Sequence, residues 1–181
     1  MEIYLIHDYS RNLSEIVNEE NKKIYLEAKI LNKSIFENNI ELYVNDKKIK
    51  FTYKYRFNDS KEIKVRFKFN KILTNMSYMF YRCSSLKKID LSSFNANKVN
   101  SMNSMFSDCF SLENIDLLSF NTNNVNDMRY MFNKCFYLKS LDLSSFNTNK
   151  VNNMNCMFNE CSSLKSLNLS SFNTNNVNDM R

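Results

Sequence analysis

The sequence has 181 residues, of which 43% are apolar, and its formal charge at neutral pH is +6. This apolar content is enough for a substantial core, so the composition excludes an intrinsically disordered chain. Gly and Pro are both absent, whereas Asn occurs 31 times. Without Gly, the sequence excludes Gly-rich phosphate loops and the Gly-flanked nucleophilic serine of many enzymes, and its turns must rely on Asn, Asp and Ser.

Residues 1–72 are predicted to form a small β-rich domain. Two short strands are predicted before residue 31, and three runs with period two follow between residues 40 and 69. Such alternation indicates half-buried strands, and the polar stretches that start at Asn45 and Asn58 are typical of hairpin turns between them. The three runs therefore predict an antiparallel meander with one apolar face. Because the repeats described next follow directly, the meander is predicted to cap their exposed end.

The opposite face of the predicted meander is basic. Its members are Lys50, Lys54, Arg56, Lys64, Arg66 and Lys68. This face could dock an acidic partner such as nucleic acid or lipid headgroups, or it could be the solvated side of a sheet, where long cations discourage aggregation. We prefer the solvated side, because no nucleic-acid-binding motif accompanies the charge and because Tyr53 and Tyr55 are in phase with the apolar face. Nucleic acid is thus a disfavoured partner.

Residues 73–181 contain four copies of a 26-residue repeat without any insertion. The clearest columns are Phe80, Phe106, Phe132 and Phe158, and Cys83, Cys109, Cys135 and Cys161. A fixed period of this length is typical of units that bury their apolar faces only against their neighbours. In the first copy, Leu86-x-x-Ile89-x-Leu91 predicts a strand, and the three-and-four spacing from Val99 to Leu112 predicts a short helix or helical turns.

The predicted fold class is therefore an α/β repeat solenoid, with one parallel strand and one short helix per repeat, preceded by the β cap. The strands are expected to form one sheet along the whole array, with Asn at the corner that follows each strand. Outward positions on these strands form the candidate binding face: Lys88, Asp90, Ser92, Asn114, Asp116, Leu118, Ser140, Asp142, Ser144, Ser166, Asn168 and Ser170.

The repeat resembles the BspA-type leucine-rich repeat, written roughly Met-Phe-x-x-Cys-x-Ser-Leu-x-x-Leu-Asp-Leu-Ser-x-Phe-Asn-Thr-x-x-Val-x-x-Met. The third copy matches it with Met131-Phe132, Cys135, Leu138, Leu141-Asp142-Leu143-Ser144, Phe146-Asn147-Thr148, Val151 and Met154. The resemblance covers residues 73–181 and implies an open solenoid of surface proteins, in bacteria and unicellular eukaryotes, that serves binding or adhesion. It thereby implies a cell-surface location. The residues themselves predict a cytoplasmic one, because no signal peptide is visible, and they predict no transmembrane segment.

No catalytic, cofactor or metal site is predicted. One thiol per repeat places the cysteines along a line, whereas zinc needs about four converging ligands, so the cysteine column is expected to fill the core. The nine repeat methionines from Met76 to Met180 have the same core interpretation. Cys156 is out of register and is expected to react first, and His7 is far in sequence from any thiol. The recurring Asp90, Asp116 and Asp142 could line a cation or ligand surface, but a solvated strand position is preferred.

Three functions remain open at this point. The leading hypothesis is a non-enzymatic module that presents the candidate binding face to a protein partner. The second is an architectural spacer that self-associates end to end, motivated by the stop at Arg181 just as a fifth repeat would begin. Binding of nucleic acid or another acidic surface through the basic face is the least favoured.

Overall fold

A computed structural model of the chain describes residues 2–7, 24–25, 40–50, 56–57, 63–84, 86–91 and 94–181. Side chains are described for residues 41–50, 66–84, 86–91 and 94–181. This part of the chain contains the strands β1 Glu2–His7, β2 Ile24–Tyr25, β3 Ile40–Val44, β4 Lys47–Ile49, β5 Arg56–Phe57, β6 Ile63–Phe69, β7 Leu86–Asp90, β8 Asn114–Asp116, β9 Ser140–Asp142 and β10 Ser166–Asn168.

The strands lie in three sheets. The largest has the order β4-β3-β6-β1-β7-β8, while β9 pairs with β10 and β2 pairs with β5. Strand β1 is antiparallel to both β6 and β7, so it joins the N-terminal strands to the first strand of the repeats. Strands β7 and β8 are parallel, as are β9 and β10. One sheet therefore crosses the predicted domain boundary at residue 72, and the division into two domains stays a prediction.

The predicted meander is wrong in its pairing. Strands β3 and β4 form the expected hairpin, and Asn45 and Asp46 at its tip have φ of 46° and 63°, as a two-residue hairpin turn requires. However, β6 pairs with β3 and β1, and β5 pairs with β2 in a separate sheet. Alternation of apolar residues specifies which face of a strand is buried, but it does not specify the neighbouring strand. The second predicted turn, which starts at Asn58, lies outside the described residues.

Consecutive tight turns occupy the segment in which the sequence predicts a helix. In the second repeat, the amides of Met105 and Cys109 donate to the carbonyls of Met102 and Phe106, three residues back, at 3.1 and 3.2 Å. Ser104 has φ of 54°, and Asp108 has φ of 61°. A residue in the left-handed region every four positions prevents a right-handed helix from propagating. The three-and-four spacing of apolar residues arises here from turns, each of which points a side chain inward.

The amides that do not close turns within their own repeat form hydrogen bonds to the next repeat. Along the turn segment, every second amide donates to a carbonyl 25 positions further on, as Met102 does to Asp127 and Phe106 does to Met131, both at 2.9 Å. The same bonds occur from the first repeat to the second and from the third to the fourth. Alternate amides thus close turns within one repeat and bond to the next, which accounts for the backbone donors of a segment without a helix or a long strand.

The predicted α/β repeat solenoid is wrong. The described residues contain no helix, and the strands of the four repeats are distributed over two sheets instead of forming one sheet along the array. The helix prediction failed because Ser104, like Tyr130 and Lys134 in the third repeat, belongs to a residue type that does not indicate left-handed backbone. Among these positions of the two repeats, only Asp108 has a residue type that is enriched there.

The core is continuous from the N-terminal strands through the repeats. Leu42, Phe67 and Phe69 belong to the same buried cluster as the repeat side chains. Phe106 stacks on Phe80 and on Phe132, with ring centroids 5.4 and 5.5 Å apart. One column of stacked phenylalanines therefore packs the turn segments of successive repeats. Identical residues touch in this column because the repeats do not drift in register.

The Asn side chains at the corners form hydrogen bonds with backbone groups and with each other. Asn147 Oδ1 accepts a hydrogen bond from the amide of Asn149 at 3.1 Å, and Asn147 Nδ2 donates to Asn123 Oδ1 of the preceding repeat at 2.9 Å. Asn173 makes the same two contacts one repeat later. Each corner thus caps its own turn and bonds to the neighbouring corner.

Candidate protein-binding face

The outward residues of the repeat strands lie on the surface and in register. Lys88 pairs with Asn114 and Asp90 with Asp116 across β7 and β8. Ser140 pairs with Ser166 and Asp142 with Asn168 across β9 and β10. All of these side chains are exposed, while the side chains between them in β7 and β9 are buried. We call this surface the strand face.

The loop positions of the strand face continue the same surface. Leu118 is 55% exposed, Ser170 is exposed and Ser144 is half-buried. Ser92 lies outside the described residues. A shallow depression of ≈ 290 Å³ on the strand face is lined by Lys88, Ile89, Asn114, Ile115, Asp116 and Ser140. Small molecules usually bind in enclosed cavities, whereas this open depression suits a side chain of a macromolecular partner better.

The recurring carboxylates of the strand face have a structural role. Asp116 Oδ1 accepts from the amide of Leu118 at 3.0 Å, and Asp142 Oδ1 accepts from the amide of Ser144 at 2.9 Å. Asn168 makes the same bond to Ser170, so an uncharged oxygen serves equally well. Hydrogen bonds from the Ser144 side chain and amide lower the pKa of Asp142, because they stabilise its charged form. The acidic column therefore terminates strands, and a cation is not needed to explain it.

The basic face is partly neutralised where its side chains are described. Lys68 Nζ lies 3.3 Å from Glu41, and Lys48 Nζ lies 2.8 Å from the same carboxylate. The hydrogen bonds from Lys48 and Tyr43 lower the pKa of Glu41 to about 2. The guanidinium of Arg66 lies 3.8 Å from the centre of the Tyr43 ring. Lys50 is exposed, whereas the side chains of Lys54, Arg56 and Lys64 are not among those described. These pairings leave fewer cations for an acidic partner than the sequence suggests.

The β6 part of the basic face and the β7–β8 part of the strand face belong to one sheet. Register places Arg66 opposite Tyr4, and Tyr4 opposite Asp90. Directly paired residues project to the same side of a sheet, so the side of β6 that carries Arg66 is also the side of β7 that carries Asp90. The sequence alone treats these as two separate surfaces, because nothing in it indicates that β1 inserts between β6 and β7.

The cysteine column lies in the core. Cys83, Cys109 and Cys135 are buried, and Cys161 is half-buried. Each of the last three thiols donates to a carbonyl of the preceding repeat, as Cys109 Sγ does to Phe80 at 3.0 Å. Burial raises the pKa of Cys83 to about 12 and that of Cys161 to about 11, and it also raises the pKa values of Cys109 and Cys135 well above the usual range. Protonated, bonded thiols in a row match the predicted filling of the core.

The described residues contain no cluster suited to bind a metal ion. They contain no group of three His, Cys, Asp or Glu side chains placed to hold a metal ion. The repeat methionines from Met76 to Met157 are buried, as expected for core residues, but Met180 is 61% exposed, so the core interpretation is wrong for the last of the nine. Cys156 is half-buried. His7 lies in β1, where the side chains are not described. In the described ranges, no helix is long and apolar enough to cross a membrane.

Sequence reasoning missed an aromatic cluster that precedes the strands. Phe110 and Tyr137 are 37% and 59% exposed, and Phe110 stacks on the half-buried Phe136 with ring centroids 5.2 Å apart. A signal was present, because the cysteine is followed by Ser-Ser in the first and fourth repeats but by Phe-Ser and Phe-Tyr in the second and third. These positions lie outside the predicted strands, on which the candidate binding face was expected.

A family model matches the chain in two overlapping stretches, residues 47–141 and 113–181. Together these stretches span more than half of the sequence. The chain belongs to the DUF285 family. That family is described as "Mycoplasma protein of unknown function", so membership assigns no activity. The overlap of the two DUF285 matches agrees with a repeated sequence. Neither the curated proteins nor the solved structures gave a match to the chain.

Proposed function

We propose that this DUF285 protein is a non-enzymatic binding module that presents its strand face to a protein partner. The observation that carries the proposal is the register of that face. Paired strands hold exposed side chains of neighbouring repeats side by side, while the alternate side chains of β7 and β9 are buried in a core shared by the repeats. A surface fixed in this way is preorganised, so little conformational entropy is lost when a partner docks.

The strand face also differs between repeats at a position where the fold permits serine. Leu118 occupies the position of Ser144 and Ser170 and is 55% exposed. An exposed leucine beside the Asp116 carboxylate offers an apolar contact within a polar rim, which is the usual composition of a protein interface.

Site-specific photo-crosslinking tests the proposal. A photo-reactive amino acid at Ser140, on the strand face, should give a discrete cross-linked protein when the chain is produced in its own cells. The matched control is Lys98, which is exposed and lies outside the strand face. Equal products from both positions, or no product from any position of the strand face, would contradict the proposal.

A second candidate is an architectural role through self-association of the fourth repeat. Leu167 is 37% exposed, whereas the matching Leu141 is 3% exposed, and Phe158 and Cys161 are only half-buried. Such apolar surface favours association with another protein surface. Light scattering over a wide range of concentrations tests this, since a constant monomer mass would reject it. A Leu167→Ser variant should shift any observed oligomer toward the monomer.

Adhesion at the cell surface is the more specific form of the binding proposal. It is supported by the resemblance of residues 73–181 to the BspA-type leucine-rich repeat. Antibody labelling of intact cells compared with lysed cells tests it. Labelling only after lysis would instead favour the cytoplasmic location that the sequence predicts.

A further inference from the structure

The aromatic cluster before the strands, formed by Phe110, Phe136 and Tyr137 and here called the aromatic corner, is not needed by the fold. In the first and fourth repeats, the corresponding positions are Ser84-Ser85 and Ser162-Ser163. The repeat therefore accommodates serine at both positions. Large apolar side chains that are exposed where serine suffices lose the hydrophobic stabilisation that burial would give them. This makes a contact with another molecule the simpler explanation for the aromatic corner.

Two of the three side chains of the aromatic corner, Phe110 and Phe136, are fixed by packing against each other. The Phe110 and Phe136 rings are stacked at 5.2 Å with an interplanar angle of 17°. The backbone around them takes part in the hydrogen bonding between repeats. The amide of Ser111, next to Phe110, donates to the carbonyl of Ser84 at 3.1 Å, and the amide of Ser163 donates to the carbonyl of Phe136 at 3.2 Å. Rigid, exposed aromatic side chains are typical anchors of protein interfaces, since few rotamers are lost on binding.

The charges beside the aromatic corner have an excess of one sign. The column that follows it consists of Lys87, Glu113, Lys139 and Lys165, which is three cations and one anion, or a net charge of +2. Lys139 Nζ lies 3.0 Å from Glu113, and Lys87 Nζ lies 3.9 Å from it, so both share that single carboxylate.

The column on the other side is neutral. Arg82 contacts Asp108 at 3.4 Å, and Lys134 contacts Glu160 at 3.8 Å. Of the two columns that flank the aromatic corner, only the one that leads into the strands therefore carries an excess of positive charge. The carboxylates of Asp90, Asp116 and Asp142 lie three residues further along the chain. A negatively charged partner would be attracted to that side.

We propose that the aromatic corner docks an acidic protein segment that carries an aromatic or aliphatic anchor residue. The anchor would pack against Phe110, Phe136 and Tyr137, and the acidic residues would lie against the lysine column. A single-stranded nucleic acid fits less well, because the two stacked rings cover each other's inner faces and the net charge of +2 would neutralise few phosphates. The proposal concerns side chains outside the strand face, so it stands whether or not the strand face binds a partner.

Selection of short random peptides displayed on phage against the full chain tests the proposal. The selected peptides, made synthetically, should be rich in Asp and Glu around one or two apolar residues. A triple variant Phe110→Ser, Phe136→Ser, Tyr137→Ser should bind them about tenfold more weakly or worse. These substitutions copy the first and fourth repeats, so the variant should fold, as its circular dichroism and unfolding curve will report. The matched control, Leu118→Ser, places the same residue on the strand face and should bind the peptides as the natural chain does.

The possible outcomes separate the two surfaces. Peptides that lose affinity with the triple variant but not with Leu118→Ser support the aromatic corner, and the reverse result supports the strand face and overturns this proposal. Selected peptides without acidic enrichment, or no selected peptide, would also overturn it. A single-stranded oligonucleotide bound through the same three residues would replace the protein segment by nucleic acid, and a dimer lost in the triple variant would replace it by a second copy of the chain.

Discussion

The amide of Lys134 donates to the carbonyl of Asn159 in the next repeat at 2.8 Å, although Lys134 itself has φ of 60°. Residues with a Cβ atom pay about 1–2 kcal/mol for this left-handed conformation. The positions that match Lys134 are occupied by Arg82, Asp108 and Glu160, so no copy uses the Asn that is abundant elsewhere. Asp108 tolerates this conformation, but at Arg82, Lys134 and Glu160 the stacking of repeats imposes the turn on residues that do not favour it locally.

Replacement of Lys134 by Asn should stabilise the protein. Asn tolerates the left-handed region through local hydrogen bonds, so we expect the free energy of unfolding to rise by about 0.5–1 kcal/mol in urea titrations. Lys134→Ala is the matched control, because it also removes the contact with Glu160 but lacks the side-chain amide with which Asn forms local hydrogen bonds in the left-handed region. Equal stabilities of the Asn and Ala variants would show that the left-handed backbone is not a cost here.

Replacement of Thr148 by Val should destabilise the protein. The buried Thr148 hydroxyl donates to the carbonyl of Asn173 at 3.0 Å and accepts from the amide of the same residue at 2.8 Å. Val keeps the shape but leaves both backbone groups without this partner, at a cost of about 1–3 kcal/mol in the free energy of unfolding. Thr148→Ser keeps the hydroxyl and should lose less. If Thr148→Ser is less stable than Thr148→Val, these hydrogen bonds do not stabilise the fold.

Alkaline pH should weaken the fold through the cysteine column. Burial raises the pKa of Cys83 to about 12, whereas an unfolded thiol titrates near 8.5. Below pH 8 the thiol is protonated in both the folded and the unfolded state, so the contribution of buried Cys83 to the free energy of unfolding is fully present. Above about pH 9 only the unfolded state releases it, and the free energy of unfolding should fall by up to about 1.4 kcal/mol per pH unit and per such thiol until the folded pKa is reached.

A Cys83→Ala variant provides the comparison for this pH dependence. It should be less stable than the natural chain at pH 7 because of lost packing, but its stability should fall less steeply between pH 9 and 11. Urea titrations in reducing buffer at several pH values measure both slopes. Parallel slopes would mean that Cys83 ionises equally in the folded and unfolded states.

Cys156 should be the first cysteine to react with a thiol reagent. Its side chain is half-buried, while Cys83, Cys109 and Cys135 are fully buried and protonated. Reaction of those three requires local opening of the core, so labelling by a maleimide at neutral pH should show one fast phase followed by slow ones. Cys156→Ser should remove the fast phase, whereas Cys161→Ser should leave it in place. Loss of the fast phase in the second variant would assign it to Cys161 instead.

Much of the candidate site could be read from the sequence. The constant 26-residue period identified which residues align, and alternation around Ile89 and Leu141 identified the exposed partners Asp90 and Asp142 correctly. The hydrogen bond that Asp142 accepts from the amide of Ser144 was not predicted. A carboxylate that caps a turn and a carboxylate that binds a ligand can recur at the same spacing in the sequence. The aromatic corner was overlooked although the substitution of Ser by Phe110 and Phe136 was visible.

By itself, the sequence determined the repeat, its register, its buried columns and its Asn corners, because these depend on residue type and on spacing along one chain. The tertiary structure alone decided that Val99 to Leu112 forms turns rather than a helix. Apolar residues at intervals of three and four satisfy either geometry, and the choice depends on amides that bond to the next repeat. It also decided that β1 lies between β6 and β7. Pairing between distant strands is set by backbone hydrogen bonds common to all residues, so side-chain patterns do not encode it.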